Sequence, residues 1–299
     1  MNVSMRRSYV DTRIGQLHVT RAGSGPQIVL LPAASQSHNA MRRLMACLGT
    51  SFEVIALDTA GSGYSDPLPA DVTFALLADA VVDAIRALSL DKPCLYGIHT
   101  GNKIAASVAA RYPDDISALV LCGQTHSLIV DKGKRTDHMR QVSANRFQSA
   151  ETPRSTLRGR LAFWGELEAM WWRDDLAASA PSTERIEDTK LAIADLLLSV
   201  DSLPRLYLAN FDFDLEAELR RITLPTLVIE IATPHEDRTI GRQGEAVTRV
   251  VDSAELVTFE EPDGLGLTLE NRAKAVAVAI KAFLASNART EPIHREVSE

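Results

Sequence analysis

Six short segments of the chain are apolar at nearly every position. They are QIVLL (27–31), FEVIAL (52–57), PCLYGI (93–98), ISALVLCG (116–123), LPTLVIEI (224–231) and AELVTF (254–259). A strand with one side in water alternates apolar and polar residues, whereas a parallel strand covered on both faces is apolar throughout. The six segments therefore predict a parallel sheet with both faces buried.

Helical spacing of apolar residues separates most of these strands. The helical segments are HNAMRRLMACLG (38–49), TFALLADAVVDAIRALSL (73–90), KIAASVAARY (103–112) and NRAKAVAVAIKAFLAS (271–286). Thr73 is a suitable N-cap for the second, Gly49 ends the first, and Pro113 stops the third. Strands that alternate with helices predict an α/β fold with a mostly parallel, doubly wound sheet. Before it, the alternating residues 8–23 predict a β-hairpin.

The alternation stops between residues 124 and 222. This stretch is mostly helical by pattern, with LAFWGELEAMWWRDDL (161–176) and DTKLAIADLLLSV (188–200) as its clearest helices. It is too long for a loop. We therefore predict a helical cap at 124–222, inserted into a core made of 1–123 and 223–286, with a polar tail at 287–299.

Composition narrows the class of partner. The formal net charge of −7 argues against nucleic acid or an anionic membrane as the main partner. No apolar run approaches the length of a membrane span, and the N-terminus has no signal-peptide core, so a cytoplasmic protein is expected. The three cysteines lack the spacing of a zinc site, and Cys94 and Cys122 are expected to be buried in strands. We expect no metal, no cofactor and a small-molecule substrate, and leave a homo-oligomer open.

Two glycine-containing motifs follow consecutive strands. LDTAGSGYSDP (57–67) follows the second long strand, and LYGIHTG (95–101) ends the third and opens a helix. With GSGPQIVLLP and LPTLVIE at the appropriate separations, the chain resembles the α/β-hydrolase fold superfamily, in the group that carries a cap. That group includes esterases, epoxide hydrolases, dehalogenases, carbon–carbon bond hydrolases, hydroxynitrile lyases and cofactor-free dioxygenases. The resemblance covers about residues 8–125 and 222–286 and implies the fold more strongly than any one reaction.

The resemblance implies that His99 occupies the nucleophile elbow. In the family a G-x-S-x-G turn projects its central serine into the pocket, and Gly97 and Gly101 preserve the two glycines around His99. The N-terminus of the following helix carries a partial positive charge, which disfavours the imidazolium form. His99 is therefore expected to be a neutral general base, with a role as nucleophile as the alternative.

The histidine of the usual triad is missing. The matching segment, EEPDGLGLTLENR (260–272), has Leu265 at that position, or Gly264 if the alignment shifts by one residue. The acid of the triad falls in IATPHEDRT (231–239), where Asp237 is the first candidate and Glu236 the second. Since Leu265 leaves room for a larger elbow side chain, we predict a His–acid dyad between His99 and one of these carboxylates.

The family's oxyanion hole requires two backbone N–H groups. Ala34, after the first long strand, and Thr100, after the elbow, are the predicted donors. Ser35, His38 and His126 are candidates to line the pocket.

Two residues outside the elbow receive structural assignments. His18 is expected at the surface of the hairpin, and Asp58 is expected to fix the loop LDTAGSGYSDP.

These residues lead to one main hypothesis and two alternatives. The main hypothesis is a cofactor-independent enzyme that hydrolyses an ester-like or activated carbonyl bond, or carries out a carbon–carbon lyase or decarboxylase type of step. The first alternative is a non-catalytic binder of a small ligand. The second is a serine hydrolase whose nucleophile has moved to Ser35 or Ser37.

Overall fold

The computed structural model describes residues 4–34, 36–123, 183–232, 242–260 and 272–287, together with Gly133, Asp137 and Gln141. Eight strands form one sheet within these residues. They are β1 (Met5–Thr12), β2 (Gly15–Gly23), β3 (Gln27–Leu31), β4 (Glu53–Leu57), β5 (Cys94–Ile98), β6 (Ala118–Cys122), β7 (Thr226–Ala232) and β8 (Ala254–Glu260).

The sheet has the order β1-β2-β4-β3-β5-β6-β7-β8. β1 and β2 form the predicted hairpin, and β2 pairs antiparallel with β4. All other neighbours are parallel. The predicted α/β class and mostly parallel, doubly wound sheet are therefore confirmed. The six predicted parallel strands lie within two residues of their observed bounds, whereas the hairpin begins at Met5, three residues before its predicted start.

Helices cover both faces of the sheet. The described helices are α1 (Arg42–Leu48), α2 (Phe74–Ala87), α3 (Thr100–Arg111), α4 (Thr183–Ser199), α5 (Leu203–Asp212), α6 (Leu215–Leu219), α7 (Gly244–Thr248) and α8 (Ala273–Asn287). Successive strand residues face opposite sides, so that Leu95 packs in the core beside α2 and α3, whereas Tyr96 packs in the core beside α1 and α8. This is why the strands read as continuously apolar.

Local signals set the helix bounds. The Thr73 side chain accepts a hydrogen bond from Leu76 N at 3.1 Å, as an N-cap should. Gly49 follows the end of α1, and Pro113 lies just beyond α3. The segment that begins at His38 first forms a 3-10 turn, His38–Met41, before α1.

Helices α4, α5 and α6 lie between β6 and β7 in the chain, inside the segment predicted as a cap. Lys103 of α3 attaches to this insertion. Its side chain is fully buried, its ammonium donates to Asn210 O near the end of α5 at 2.9 Å, and it lies 5.9 Å from the Phe74 ring centroid. The predicted helix at 161–176 lies outside the described residues, and the domain bounds stay a prediction.

Among the described residues, none of the helices combines the length and the apolar character that crossing a membrane requires. Cys94 on β5 and Cys122 on β6 are buried, as expected, whereas Cys47 on α1 is partly exposed.

Burial makes two of the three cysteines unreactive. Desolvation raises the pKa of Cys94 and of Cys122 to about 12, so the reactive thiolate is scarce near pH 8. We predict that native protein reacts rapidly with one equivalent of Ellman's reagent, at Cys47, and that all three cysteines react after denaturation. Cys47→Ser removes the rapid equivalent. Two or more rapid equivalents in the native wild type would contradict this packing.

Candidate active site

His99 forms the turn between β5 and α3. Its backbone has φ 46° and ψ −107°, which few residues other than glycine adopt. Such a conformation costs about 1–3 kcal/mol and persists only where the surroundings impose it. The described structure therefore holds His99 in a strained position at the carboxyl end of the sheet, where open α/β sheets bind their ligands.

Two glycines make the turn sterically feasible. A Cβ on Gly97 would overlap the carbonyl oxygen of Gly101, and a Cβ on Gly101 would overlap the carbonyl oxygen of Leu31. The backbone of the turn thus packs directly on itself and on the end of β3. The G-x-H-x-G spacing has a steric cause at both glycines.

The imidazole of His99 lies over Gly123, the first residue after β6. A Cβ built on Gly123 would lie 3.1 Å from both Cε1 and Nε2 of the ring, and Gly123 has φ +60°. The ring is half-buried. Sequence reasoning missed this role of Gly123, and the available signal was a glycine directly after an apolar strand.

Hydrogen bonds fix the same turn to the end of β6. His99 N donates to Cys122 O at 3.1 Å and to Gly123 O at 3.3 Å. The buried side chain of Asn102 donates to the same two oxygens at 2.9 and 2.8 Å and accepts from Cys122 N at 3.0 Å. Asn102 thus ties the first turn of α3 to β6, and no motif in the sequence indicated it.

The two predicted oxyanion donors lie on adjacent strand ends. Thr100 is the first residue of α3, and Ala34 follows β3 by three residues; both are half-buried. Gln36 N donates to Ala33 O at 3.1 Å and closes a turn around Ala34. Neither the Ala34 nor the Thr100 amide donates to another described backbone oxygen. Ala34 and Thr100 therefore remain candidate donors.

Five predicted site residues lie outside the described residues. They are Ser35, His126, Glu236, Asp237 and Leu265. The predicted dyad between His99 and Asp237 or Glu236 stays a prediction, as does the room left by Leu265.

His38 lies inside the protein, although it was predicted to line the pocket. Its ring is 3% exposed, and Nδ1 lies 3.1 Å from Oδ1 and 3.2 Å from Oδ2 of Asp58. His18 approaches the same carboxylate, with Nδ1 3.0 Å from Oδ2. The expectation that His18 is exposed was wrong, because β2 lies beside β4 and the ring packs against Asp58, His38 and Tyr64.

Asp58 fixes its loop, as predicted. It lies just after β4, has no exposed surface, and accepts hydrogen bonds from His38 N at 2.6 Å and Tyr64 N at 3.2 Å. Burial opposes its ionisation, but the hydrogen bonds from His18 and His38 outweigh burial and lower the pKa of Asp58 to about 2. Since a carboxylate only accepts, Nδ1 of each imidazole carries a proton.

His18, His38 and Asp58 are also the described residues whose donor atoms lie close enough to bind a metal ion, all within 4.8 Å of one another. Both carboxylate oxygens already accept a backbone N–H, and Nδ1 of each of the two histidines already donates to the carboxylate. A cation would have to displace two protons and break these bonds. The arrangement fits a proton-bonded structural cluster better than a metal site.

Asp58 should make the protein sensitive to acid. A pKa lowered from 3.8 to about 2 contributes about 2 kcal/mol of stability, which is present above pH 4 and is lost as the pH falls through 2. We predict that Asp58→Asn lowers the free energy of unfolding by about 2 kcal/mol at pH 7. The variant should also flatten the pH dependence of this energy between pH 2 and 4 in urea titrations.

The exposed Asp114 supplies the control. Asp114→Asn should keep the wild-type pH dependence. An Asp58→Asn variant with the same pH dependence as wild type would show that Asp58 is not strongly ionised in the folded state.

Curated proteins with similar sequences match part of the chain. An uncharacterized protein of Mycobacterium tuberculosis is 31% identical over 100 residues, which are 33% of this chain and 29% of that protein. A pimeloyl-[acyl-carrier protein] methyl ester esterase of Chromobacterium violaceum is 31% identical over 116 residues, 39% of this chain and 44% of that protein. The matched segment thus spans less than half the length of these curated relatives.

Solved structures extend the likeness over nearly the whole chain. The enol-lactonase of Burkholderia xenovorans LB400 superposes with a TM-score of 0.65 at 20% identity, covering 93% of this chain and 100% of that one. At this identity the likeness concerns the fold.

A family model matches the part of the chain that contains the turn at His99. The sequence model described as alpha/beta hydrolase fold matches residues 26–189, more than half of the chain. The matched stretch contains β3 to β6, the glycine-flanked turn and the first seven residues of α4. The protein is therefore a member of the alpha/beta hydrolase fold family.

Proposed function

We propose that this chain is a cofactor-independent hydrolase in which His99 acts as a general base on a small substrate with an ester-like or activated carbonyl bond. The observation that carries the proposal is the strained backbone of His99, held between two glycines whose Cβ atoms would collide with neighbouring backbone. Strain of this kind is retained at functional sites.

The position of the imidazole supports base catalysis. The ring is half-buried at the N-terminus of the twelve-residue helix α3, whose partial positive charge favours the neutral form. A neutral imidazole accepts a proton from water or from carbon. The candidate acid that would orient the ring is Asp237 first and Glu236 second.

In the proposed hydrolysis, His99 removes a proton from a water molecule as the water oxygen attacks the substrate carbonyl carbon. The Thr100 and Ala34 amides donate to the oxygen that becomes negatively charged. The imidazolium then returns the proton to the leaving oxygen as its bond to carbon breaks. The histidine ends neutral, and no covalent acyl-enzyme is formed.

The names of relatives favour hydrolysis over other reactions of the fold. The Chromobacterium relative is an esterase of a methyl ester, and the Burkholderia structure is an enol-lactonase. Both names denote hydrolysis of an ester bond, since a lactone is a cyclic ester. A lyase or decarboxylase step would use the same base, with the proton taken from or returned to carbon.

The structure argues against Ser37 as a displaced nucleophile. Ser37 is fully buried, its hydroxyl donates to Asp195 Oδ1 at 2.7 Å, and its oxygen accepts from Asn39 N at 3.2 Å. A hydroxyl engaged on both sides has no access to a substrate. Ser35, the other candidate, lies outside the described residues.

The proposal is tested by assaying p-nitrophenyl esters, lactones and β-keto acids with the wild type and with His99→Ala. We predict that His99→Ala lowers kcat/KM for the turned-over substrate by about 10²–10⁴-fold, the range of a general base. His99→Ser should be inactive and should resist fluorophosphonate labelling, because no triad histidine is expected to activate the serine.

Three results would contradict the proposal. They are a His99→Ala variant with unchanged kcat/KM, fluorophosphonate labelling of the wild type, and saturable ligand binding without turnover on any compound of the panel. The last of these would support the non-catalytic binder.

Gly123 offers a subtler test. Gly123→Ala places a methyl group 3.1 Å from the His99 ring and should turn or displace it, lowering kcat/KM by about 10–100-fold. Gly25 is the control, since it also has positive φ, at +119°. It lies just before β3, at the opposite end of that strand from the site, and a Cβ there would meet the backbone oxygen of Ser51. Gly123→Ala should cost about 1–2 kcal/mol of stability by urea unfolding, because the alanine adopts a left-handed backbone. Gly25→Ala should cost at least as much, because its Cβ would also lie 2.8 Å from the backbone oxygen of Ser51. Equal losses of activity in the two variants would show that the ring position over Gly123 is unimportant.

A further inference from the structure

The segment Ser37–Asn39 is held by two buried carboxylates from opposite sides. Asp58, from the core, accepts His38 N at 2.6 Å and faces the His38 ring. Asp195, on α4 of the insertion, accepts hydrogen bonds from Ser37 and Asn39, the residues on either side of His38. The segment thus links the sheet to the inserted helices.

The Asp195 carboxylate accepts three hydrogen bonds from this segment. Its Oδ2 accepts Ser37 N at 2.9 Å, and its Oδ1 accepts the Ser37 hydroxyl at 2.7 Å and Asn39 Nδ2 at 3.0 Å. The residue is 2% exposed. Burial raises the pKa of Asp195, and the hydrogen bonds from Ser37 and Asn39 only partly offset this. Asp195 is thus a carboxylate at a position where burial makes its ionisation costly.

The same segment lies immediately after the predicted oxyanion loop. Two residues, Ser35 and Gln36, separate Ala34 from Ser37. The loop is fixed at its start by Leu31, paired with Gly97 in the sheet, and closes a turn from Gln36 N to Ala33 O at 3.1 Å. Ala34 thus lies three residues after a paired strand residue, Leu31, and three residues before Ser37, which Asp195 binds.

A second aspartate on α4 provides a natural comparison. Asp188, two helical turns before Asp195, forms ion pairs with Arg42 and with Arg43, the latter at 2.7 Å. These arginines lie on α1 and not in the oxyanion loop. Asp188 thus attaches α4 to the core and makes no direct contact with the segment Ser37–Asn39. Arg42 also donates to Asn39 O at 3.1 Å, through a bond that does not use the Asp188 carboxylate and that Asp188→Asn retains.

We propose that Asp195 is a positioning residue, which acts from the insertion through Ser37 and Asn39 to hold the Ala34 amide in the oxyanion hole. This rests on the proposed hydrolysis, because only a reaction with a developing oxyanion uses that amide. Asp195 contacts no reacting atom. Its contribution should appear in the rate of the chemical step and not in substrate binding.

The test compares Asp195→Asn with Asp188→Asn in the full-length protein. The amide cannot accept with both terminal atoms and presents an N–H₂ group to donors of Ser37 or Asn39. For the substrate with the highest wild-type activity in the panel above, Asp195→Asn should lower kcat at least tenfold while KM stays within twofold. Asp188→Asn should change kcat less than twofold.

A second readout does not depend on turnover. Amide hydrogen exchange of the peptide that spans residues 32–41 should be at least tenfold faster in Asp195→Asn than in wild type, and unchanged within twofold in Asp188→Asn. Asn39→Ala, which removes one of the three hydrogen bonds, should give a smaller increase and serves where Asp195→Asn does not fold. Urea unfolding of all variants separates local from global opening.

The outcomes distinguish this inference from the proposed function. Unchanged exchange at 32–41 in Asp195→Asn or Asn39→Ala, or equal effects of Asp195→Asn and Asp188→Asn, overturns the positioning role even if His99 is catalytic. A fall in kcat matched by a rise in KM assigns Asp195 to substrate binding and also overturns it. A wild type without turnover overturns the proposed function. It also overturns the positioning of an oxyanion donor, which depends on that function. The exchange rates at residues 32–41 still show whether Asp195 stabilises the loop.

Discussion

Backbone packing against backbone at the carboxyl ends of β3 and β5 is the constraint on which the site depends. Gly101 abuts the carbonyl oxygens of Leu31 and Pro32, and Gly97 abuts Gly101 itself. Contacts this close leave no freedom for the intervening residue, which is forced to a positive φ. The bonds from His99 N to the β6 carbonyls and the three bonds of Asn102 offset the strain. Whatever side chain stands at this position is presented at the edge of the sheet.

The fold was readable from the sequence for a physical reason. A strand covered on both faces must be apolar at every position, and Gly49, Thr73 and Pro113 act on the chain within a few residues of where they stand. The elbow spacing was equally local, since Gly97 and Gly101 lie within one turn of His99. Structural features that depend on only a few neighbouring residues can therefore be predicted from a single sequence.

The remaining parts of the site depend on contacts between distant segments. His18 and Asp58 are 40 residues apart, and Ser37 and Asp195 are 158 apart. The pattern around His18 is that of an ordinary hairpin, and only the pairing of β2 with β4 places its ring in the interior. Asp195 lies in the predicted helix at 188–200, with nothing to distinguish it from the solvent-facing aspartates of other helices. Such pairings follow from topology and have no local sequence signature.

The burial of Lys103 has a consequence for how this scaffold can diversify. Its ammonium lies in the interior, one helical turn beyond the site, and donates to a carbonyl supplied by α5. A desolvated cation is tolerated only while an acceptor of suitable geometry faces it. A transplanted insertion from another relative would therefore need to bring an oxygen to the same point in space, or be accompanied by replacement of the lysine. The buried lysine thereby limits which insertions are compatible with a stable core, independently of the substrates those insertions would bind.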